Sequence, residues 1–131
     1  MSHRELEPML STAPQPAGTI LHVETDTIGR AVVLRAIGEV DILTAPRLRT
    51  AIEQTWKPGA RVTATLVDLT GVSFLASAGL AVLAGCARST PAGMRMLVVA
   101  NSASTLRPLE LVGLPALVDV YLTVEDALAV L

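Results

Sequence analysis

One hydroxyl group stands out in an otherwise apolar segment near the middle of the chain. The segment is FLASAGL, residues 74–80, in which Ser77 has an alanine on either side. A serine at the start of a helix can accept a backbone N–H and cap the helix, and it can also carry a phosphate. A phosphate there is compatible with folding, because helix N-termini favour anions, but its charge would disrupt a partner surface laid over an uncharged patch. Ser77 is therefore a candidate helix cap, a candidate phosphorylation switch, or both.

The remaining reactive side chains do not suggest an enzyme. The two histidines, His3 and His22, and the single cysteine, Cys86, are far apart in the sequence. Neither a Ser–His–acid set nor a metal-ligand spacing is evident, and no glycine-rich loop could cradle a phosphate. We therefore expect no enzymatic activity and no cofactor. The lone cysteine cannot form an internal disulfide, which fits a cytoplasmic protein, and we expect it to be a small buried side chain on a helix.

Composition argues against nucleic acid and membrane as direct partners. The net charge of −2 and the scattered arginines give no basic stripe, and three aromatic residues in 131 are too few to stack bases. Residues 69–87 carry no charge, but several glycine, serine and threonine residues interrupt them. A membrane-spanning helix needs about 20 predominantly apolar residues. We interpret this stretch instead as the end of a strand, a turn and a buried helix.

The periodicity of apolar residues predicts one α/β domain with a mixed, largely parallel sheet and helices packed against it. Strands are predicted over residues 19–27, 31–38, 61–69, 93–101 and 117–121, with Gly29 turning the first strand into the second. Helices are predicted over residues 44–56, from 77 onward, over 102–112 and over 123–131. The order is therefore ββαβαβαβα, in a domain at residues 18–131 that follows a flexible tail at residues 1–17.

Local signals predict how these elements begin, end and pack. Thr44, Asn101 and Thr123 are the expected caps, and Pro108 is expected to break or kink the third helix. Asp68 is expected to hold a turn through Thr70 and Gly71. The apolar face of the second helix is expected to be Leu80, Leu83, Ala84 and Ala87. The expected core residues are Ile52, Leu66, Leu80, Leu83, Leu97 and Val99.

Two motifs carry a family resemblance, GEVDILTAPRL at residues 38–48 and VDLTGVSFLASAGLAVL at residues 67–83. They resemble the bacterial anti-sigma factor antagonists, whose fold is the STAS domain. In that family a Gly-Glu-aliphatic-Asp stretch enters the first helix. The later signature reads aliphatic-Asp-aliphatic-Ser/Thr-Gly-Val, then an aliphatic pair and Asp-Ser-Ser/Thr-Gly-Leu. The resemblance covers about residues 19–131 and implies the STAS fold in the ββαβαβαβα order.

The resemblance implies a protein that binds an anti-sigma factor of the serine-kinase type and thereby releases a sigma factor. The phosphorylated serine of the family aligns with Ser77, but the preceding aspartate is Ala76 here and the second hydroxyl residue is Ala78. The resemblance is also compatible with a weak homodimer. The implied partner-binding residues are Asp41, Thr44, Ala76, Ser77, Ala78 and Gly79.

Two alternatives bear on this interpretation. Ala76 and Ala78 favour a STAS module that binds a small ligand or another regulatory protein without phosphorylation, and fold likeness alone cannot decide between the two functions. A phospho-receiver domain, another small parallel-sheet signalling protein, would need a lysine after a late strand. The only lysine in this chain, Lys57, follows the first helix, which argues against that class. Asp41 also has a simpler expected role in capping its loop.

Overall fold

In the computed structural model, which describes residues 20–57 and 61–131, five strands form one sheet with helices packed against it. The strands are β1 (Leu21–Ile28), β2 (Ala31–Val40), β3 (Ala64–Leu75), β4 (Arg95–Val99) and β5 (Asp119–Tyr121). The helices are α1 (Ala45–Gln54), α2 (Ser77–Ser89), α3 (Ala103–Leu111) and α4 (Val124–Leu128), with a 3₁₀ turn at Leu114–Ala116. The predicted order ββαβαβαβα is confirmed, while the predicted tail at residues 1–17 lies outside the described residues.

The sheet is mixed and largely parallel, as predicted. Its strands lie in the order β1-β2-β3-β4-β5, with β1 antiparallel to β2 and every other neighbouring pair parallel. Gly29 turns β1 into β2 with a φ of 61°, a left-handed conformation that glycine adopts without steric cost. Because parallel strands end at the same edge of a sheet, the segments that follow β2, β3 and β4 emerge side by side.

Both faces of the sheet are covered by apolar side chains. One face packs against α1, α2 and α3 through residues such as Leu34, Ile52, Leu83 and Leu109. The other packs against α4, with Ala127 over the second apolar cluster. All six predicted core residues are buried, namely Ile52, Leu66, Leu80, Leu83, Leu97 and Val99. In the part of the chain that the structure describes, no helix is long and apolar enough to cross a membrane.

Strand β3 is longer than the sequence predicts. The predicted strand ended at Leu69 with a turn through Thr70 and Gly71, but β3 continues to Leu75. The Asp68 carboxylate does accept hydrogen bonds from the Thr70 N–H at 2.9 Å and the Thr70 hydroxyl at 2.8 Å. A register shift against β2 at this point absorbs one extra residue, so the strand bends and continues instead of turning.

Helix α3 also differs from its prediction. It runs from Ala103 to Leu111 through Pro108, so the expectation that this proline breaks the helix is wrong, and a kink there stays a prediction. Its N-cap residue is Ser102 and not Asn101. A proline in a helix removes one backbone hydrogen bond, and the same helix buries Thr105 and Leu109 against the rest of the domain. The expected cap of α4 is confirmed, because the Thr123 hydroxyl accepts the Asp126 N–H at 3.0 Å.

Replacing Leu83 by aspartate should abolish cooperative folding. Leu83 is fully buried between α2 and the sheet, and an unpaired charge there costs several kcal/mol, on the order of the whole stability of a small domain. The matched control is Ala81→Asp on the exposed side of α2, with an expected change in unfolding free energy below about 1 kcal/mol. Urea unfolding followed by circular dichroism compares them, and an unchanged midpoint for Leu83→Asp would show that the buried face is wrongly assigned.

Candidate functional site

Ser77 is the first residue of α2, and one residue, Ala76, separates it from the end of β3. Ala76, not Ser77, is the N-cap residue, in an extended conformation with φ −82° and ψ 170°. The Ala76 carbonyl accepts the N–H groups of Gly79 at 2.9 Å and Leu80 at 3.1 Å, and no side chain caps the helix. The prediction that the Ser77 hydroxyl accepts one of these N–H groups is therefore wrong. The Ser77 side chain is exposed.

The position of this helix start is fixed by the neighbouring strand. β2 and β3 end as a pair, with Val40 opposite Leu75, and the Ala76 N–H donates to the Val40 carbonyl at 2.9 Å. Gly79 then lies against both strand ends: a Cβ on this residue would be 2.5 Å from Val40 Cγ1 and 2.8 Å from Leu75 Cδ1. A side chain at Gly79 would require Val40, Leu75 or α2 to shift. Ser77 is thus held at the edge where β2 leaves the sheet.

The loop between β2 and α1 is held by the Asp41 carboxylate. Its Oδ1 accepts the N–H groups of Leu43 and Thr44, each at 2.9 Å. The Thr44 hydroxyl donates to the Glu39 carbonyl at 2.9 Å and accepts the Asp41 N–H at 2.9 Å. Thr44 is the N-cap residue of α1, as predicted, but its hydroxyl bonds back into the loop and does not cap the helix. The expected role of Asp41 in capping the loop is supported by these contacts.

The six predicted partner-binding residues come from two adjacent segments, but they differ in exposure. Ser77 is exposed, and Asp41, Ala76 and Ala78 are half-buried. Thr44 and Gly79 are buried, so these two can shape the surface without offering much area to a partner. That the six residues form a partner surface stays a prediction.

The buried face of α2 is partly different from its prediction. Leu80 and Leu83 are buried as expected, whereas Ala84 and Ala87 are only half-buried at its margin. The buried residues of the helix are Gly79, Leu80, Val82, Leu83 and Cys86. The expected burial of Cys86 is confirmed, and desolvation raises the pKa of its thiol.

Three large exposed apolar side chains lie at or just after the paired ends of β2 and β3 and are missing from the predicted site. Ile42 and Leu43, in the loop after β2, are 77% and 81% exposed, and Phe74, near the end of β3, is 49% exposed. Single exposed apolar residues are ordinary, but several at one edge of a sheet mark a candidate contact surface. The sequence did contain a signal for this surface. Ile42 and Leu43 lie between a strand and the N-cap Thr44, and they do not fit the apolar periodicity of either neighbouring element. We call Ile42, Leu43 and Phe74 the apolar rim.

The first turn of α2 contains no acidic residue, so the acidic groups of the site are Glu39 at the end of β2 and Asp41 in the loop after it. The Thr44 N–H contributes most to lowering the pKa of the Asp41 carboxyl below its ordinary value of 3.8. Partial desolvation opposes this effect, and the Thr44 hydroxyl and the Leu43 N–H reinforce it. Asp41 therefore stays ionised at neutral pH and holds its loop as a hydrogen-bond acceptor.

The chain is similar in sequence and in structure to several anti-sigma factor antagonists. Residues 22–127 match the family model described as the STAS domain. Over 96 residues the chain is 36% identical to the anti-sigma-F factor antagonist RsfB of Mycobacterium tuberculosis. This match covers 73% of this chain and 77% of that protein. A solved anti-sigma factor antagonist from Mycobacterium paratuberculosis aligns with a TM-score of 0.81 and 31% identity, over 88% of this chain and 97% of that one. The anti-sigma factor antagonist SpoIIAA in its unphosphorylated form aligns with a TM-score of 0.67 and 25% identity, over 82% and 93%.

Replacing Asp41 by asparagine should destabilise the protein at neutral pH and much less in acid. Because the folded-state pKa of Asp41 is below 3.8, ionised Asp41 stabilises the fold above that pH, and the contribution is lost as the pH falls through the lower folded-state value. Urea unfolding at about pH 7 and about pH 3 measures the difference from the wild type, which should shrink in acid. The control is Asp26→Asn, which removes one carboxylate charge from an exposed position on β1. A difference independent of pH would contradict the assigned role.

Proposed function

The chain belongs to the STAS domain family, among its anti-sigma factor antagonists, and on that premise we propose that it binds an anti-sigma factor of the serine-kinase type and thereby releases a sigma factor. The proposed complex forms in the cytoplasm. Its support in the sequence is the 36% identity to a protein named as an anti-sigma-F factor antagonist. Its support in the structure is the surface around the start of α2.

The observation that carries the proposal is the exposed Ser77 hydroxyl, which has no capping task in the fold. Around it lie small half-buried alanines, which would let a partner backbone approach closely. The apolar rim lies at the same edge of the sheet and supplies exposed area of the kind that is buried in protein interfaces. We propose that the anti-sigma factor covers Ser77 and the apolar rim together.

Phosphorylation of Ser77 is the proposed switch. The γ-phosphoryl group of ATP would transfer to Ser77 Oγ, with loss of the hydroxyl proton and release of ADP. The product would carry about −1.5 to −2 charges, which the positive end of the α2 dipole tolerates. The same charges placed against an apolar partner surface would be desolvated without a counter-ion. Modification would thus weaken the complex without unfolding the domain. The anti-sigma factor antagonist SpoIIAA has been solved in an unphosphorylated form and in a phosphorylated form.

A second function is favoured by one specific observation, the alanines at 76 and 78. The family motif places an aspartate and a second hydroxyl at these two positions, so a kinase would meet a different surface here. In this alternative the domain binds a small ligand or another regulatory protein without phosphorylation. The two functions differ in one measurable property, the chemical state of Ser77 after exposure to a cognate kinase and ATP.

Substitutions of Ser77 should separate binding from stability. Ser77→Glu should weaken binding to the anti-sigma factor by roughly tenfold or more, because a charge enters the interface. Ser77→Ala should bind as the wild type and resist phosphorylation, with a change in unfolding free energy below about 0.5 kcal/mol, since no capping bond is lost. Calorimetry measures binding to purified anti-sigma factors of the source organism, and thermal melts measure stability.

Mass spectrometry after incubation with the kinase and ATP tests the modification itself. A family antagonist that is phosphorylated in the same reaction serves as the positive control. An unmodified Ser77 beside that control would remove the switch and leave the alternative function.

The apolar rim is tested by a pair of matched leucines. Leu43→Asp should weaken binding to the anti-sigma factor by roughly a hundredfold, the loss expected from an anchor residue of an interface. Leu111→Asp at the end of α3 is the control, since Leu111 is 76% exposed, close to the 81% of Leu43, but lies outside the proposed surface. Both variants should keep the wild-type melting temperature. Equal binding by the two variants would argue that the partner does not cover the rim.

A further inference from the structure

A groove runs between the edge strand β1 and the outer flank of α1. Its volume is about 730 Å³, within the range of roughly 300–1,000 Å³ that small-molecule sites occupy. The strand wall is formed by Val23, Thr25 and Thr27, and the helix wall includes Ala51 and Gln54. The groove exists because β1 is the last strand of the sheet, so α1 overhangs an edge that no further strand fills.

The middle of the groove combines apolar surface with hydroxyl groups. Val23, Val32 and Ala51 are half-buried and supply apolar surface to its lining. The hydroxyl-bearing side chains of Thr25 and Thr50 are exposed on opposite walls. Such a lining suits an elongated, weakly polar ligand. The apolar stretches of the ligand would cover the apolar side chains of the groove, and its polar atoms would meet the hydroxyl groups.

The charges in the groove are of one sign. Arg47 and Lys57 line it, both are exposed, and none of the described lining residues is acidic, although the chain has a net charge of −2. No ion pair between described residues uses either cation. Arg47 is in the first turn of α1, and Lys57 follows the end of this helix by three residues. The ten residues of α1 span roughly 15 Å at the helical rise per residue. A cation therefore stands toward each end of the groove.

We propose that this groove binds an elongated organic dianion, with one acidic group at Arg47, the other at Lys57 and a weakly polar body between them. The site does not include Ser77, although its Arg47 end adjoins Leu43 and Thr44 of the proposed partner surface. Arg49, on the other flank of α1, lies against Gly85 of α2, so the helix itself stands between the groove and Ser77. Ligand binding here does not depend on the function proposed for Ser77.

Calorimetric titration with dodecanedioate, an α,ω-dicarboxylate, tests the site directly. One saturable site per chain is expected, with weaker binding of dodecanoate and none of 1,12-dodecanediol. Arg47→Gln and Lys57→Gln should each raise the Kd about fivefold, the effect expected of one exposed ion pair. Arg107→Gln is the matched control, since Arg107 is an exposed arginine on α3 outside the groove. Trp56, the single tryptophan, adjoins the lining residues Thr55 and Lys57 and gives a second readout by fluorescence.

Three results would overturn the proposal. The first is the absence of saturable dodecanedioate binding up to millimolar concentration. The second is an equal loss of affinity in Arg107→Gln, which would indicate nonspecific attraction to surface cations. The third is equal affinity for the uncharged diol, which would show that the groove recognises the body of the molecule and not its charge.

Discussion

The arrangement of the proposed site depends on the point where β2 and β3 end together. The hydrogen bond from the Ala76 N–H to the Val40 carbonyl, at 2.9 Å, sets where the strand stops and α2 begins. Gly79 allows the helix to lie against these strand ends, because even a Cβ there would be 2.5 Å from a Val40 methyl group. One backbone bond and one missing side chain therefore place the helix start beside the loop that contains Asp41.

Because this junction sets the helix register, the first turn of α2 is held by backbone groups. The Ala76 carbonyl accepts two N–H groups, and the Ser77 hydroxyl remains exposed. The neighbouring loop is built differently, since Asp41 and Thr44 satisfy each other's polar groups and leave two large apolar side chains outside. The start of α2 thus presents a reactive hydroxyl group, and the loop after β2 presents exposed apolar surface. Neither segment depends on these exposed side chains for its conformation.

The order of strands and helices could be predicted because each element has its own periodicity, as in the alternation of buried Leu21 with exposed His22. The start of α2 at Ser77 was also visible in the sequence. The sequence did not show that the Ser77 hydroxyl leaves this helix uncapped, because the cap position is decided by the hydrogen bond from Ala76 to Val40, a residue on another strand. The continuation of β3 past Leu69 escaped prediction for a similar reason, since the register shift is defined only against β2.

Ala76 changes the electrostatics of the proposed switch and not only its sequence. An aspartate at this N-cap position would itself accept N–H groups of the first turn and place a carboxylate beside Ser77. With alanine there, the N–H groups of Ser77 and Ala78 precede the first hydrogen bonds of the helix and no side chain caps them. A phosphate on Ser77 would meet those donors without a carboxylate on the preceding residue, and the ionised Asp41 in the neighbouring loop would be left as a source of repulsion. The alanine that departs from the family motif therefore weakens the case for kinase recognition while it improves the setting for the phosphorylated product.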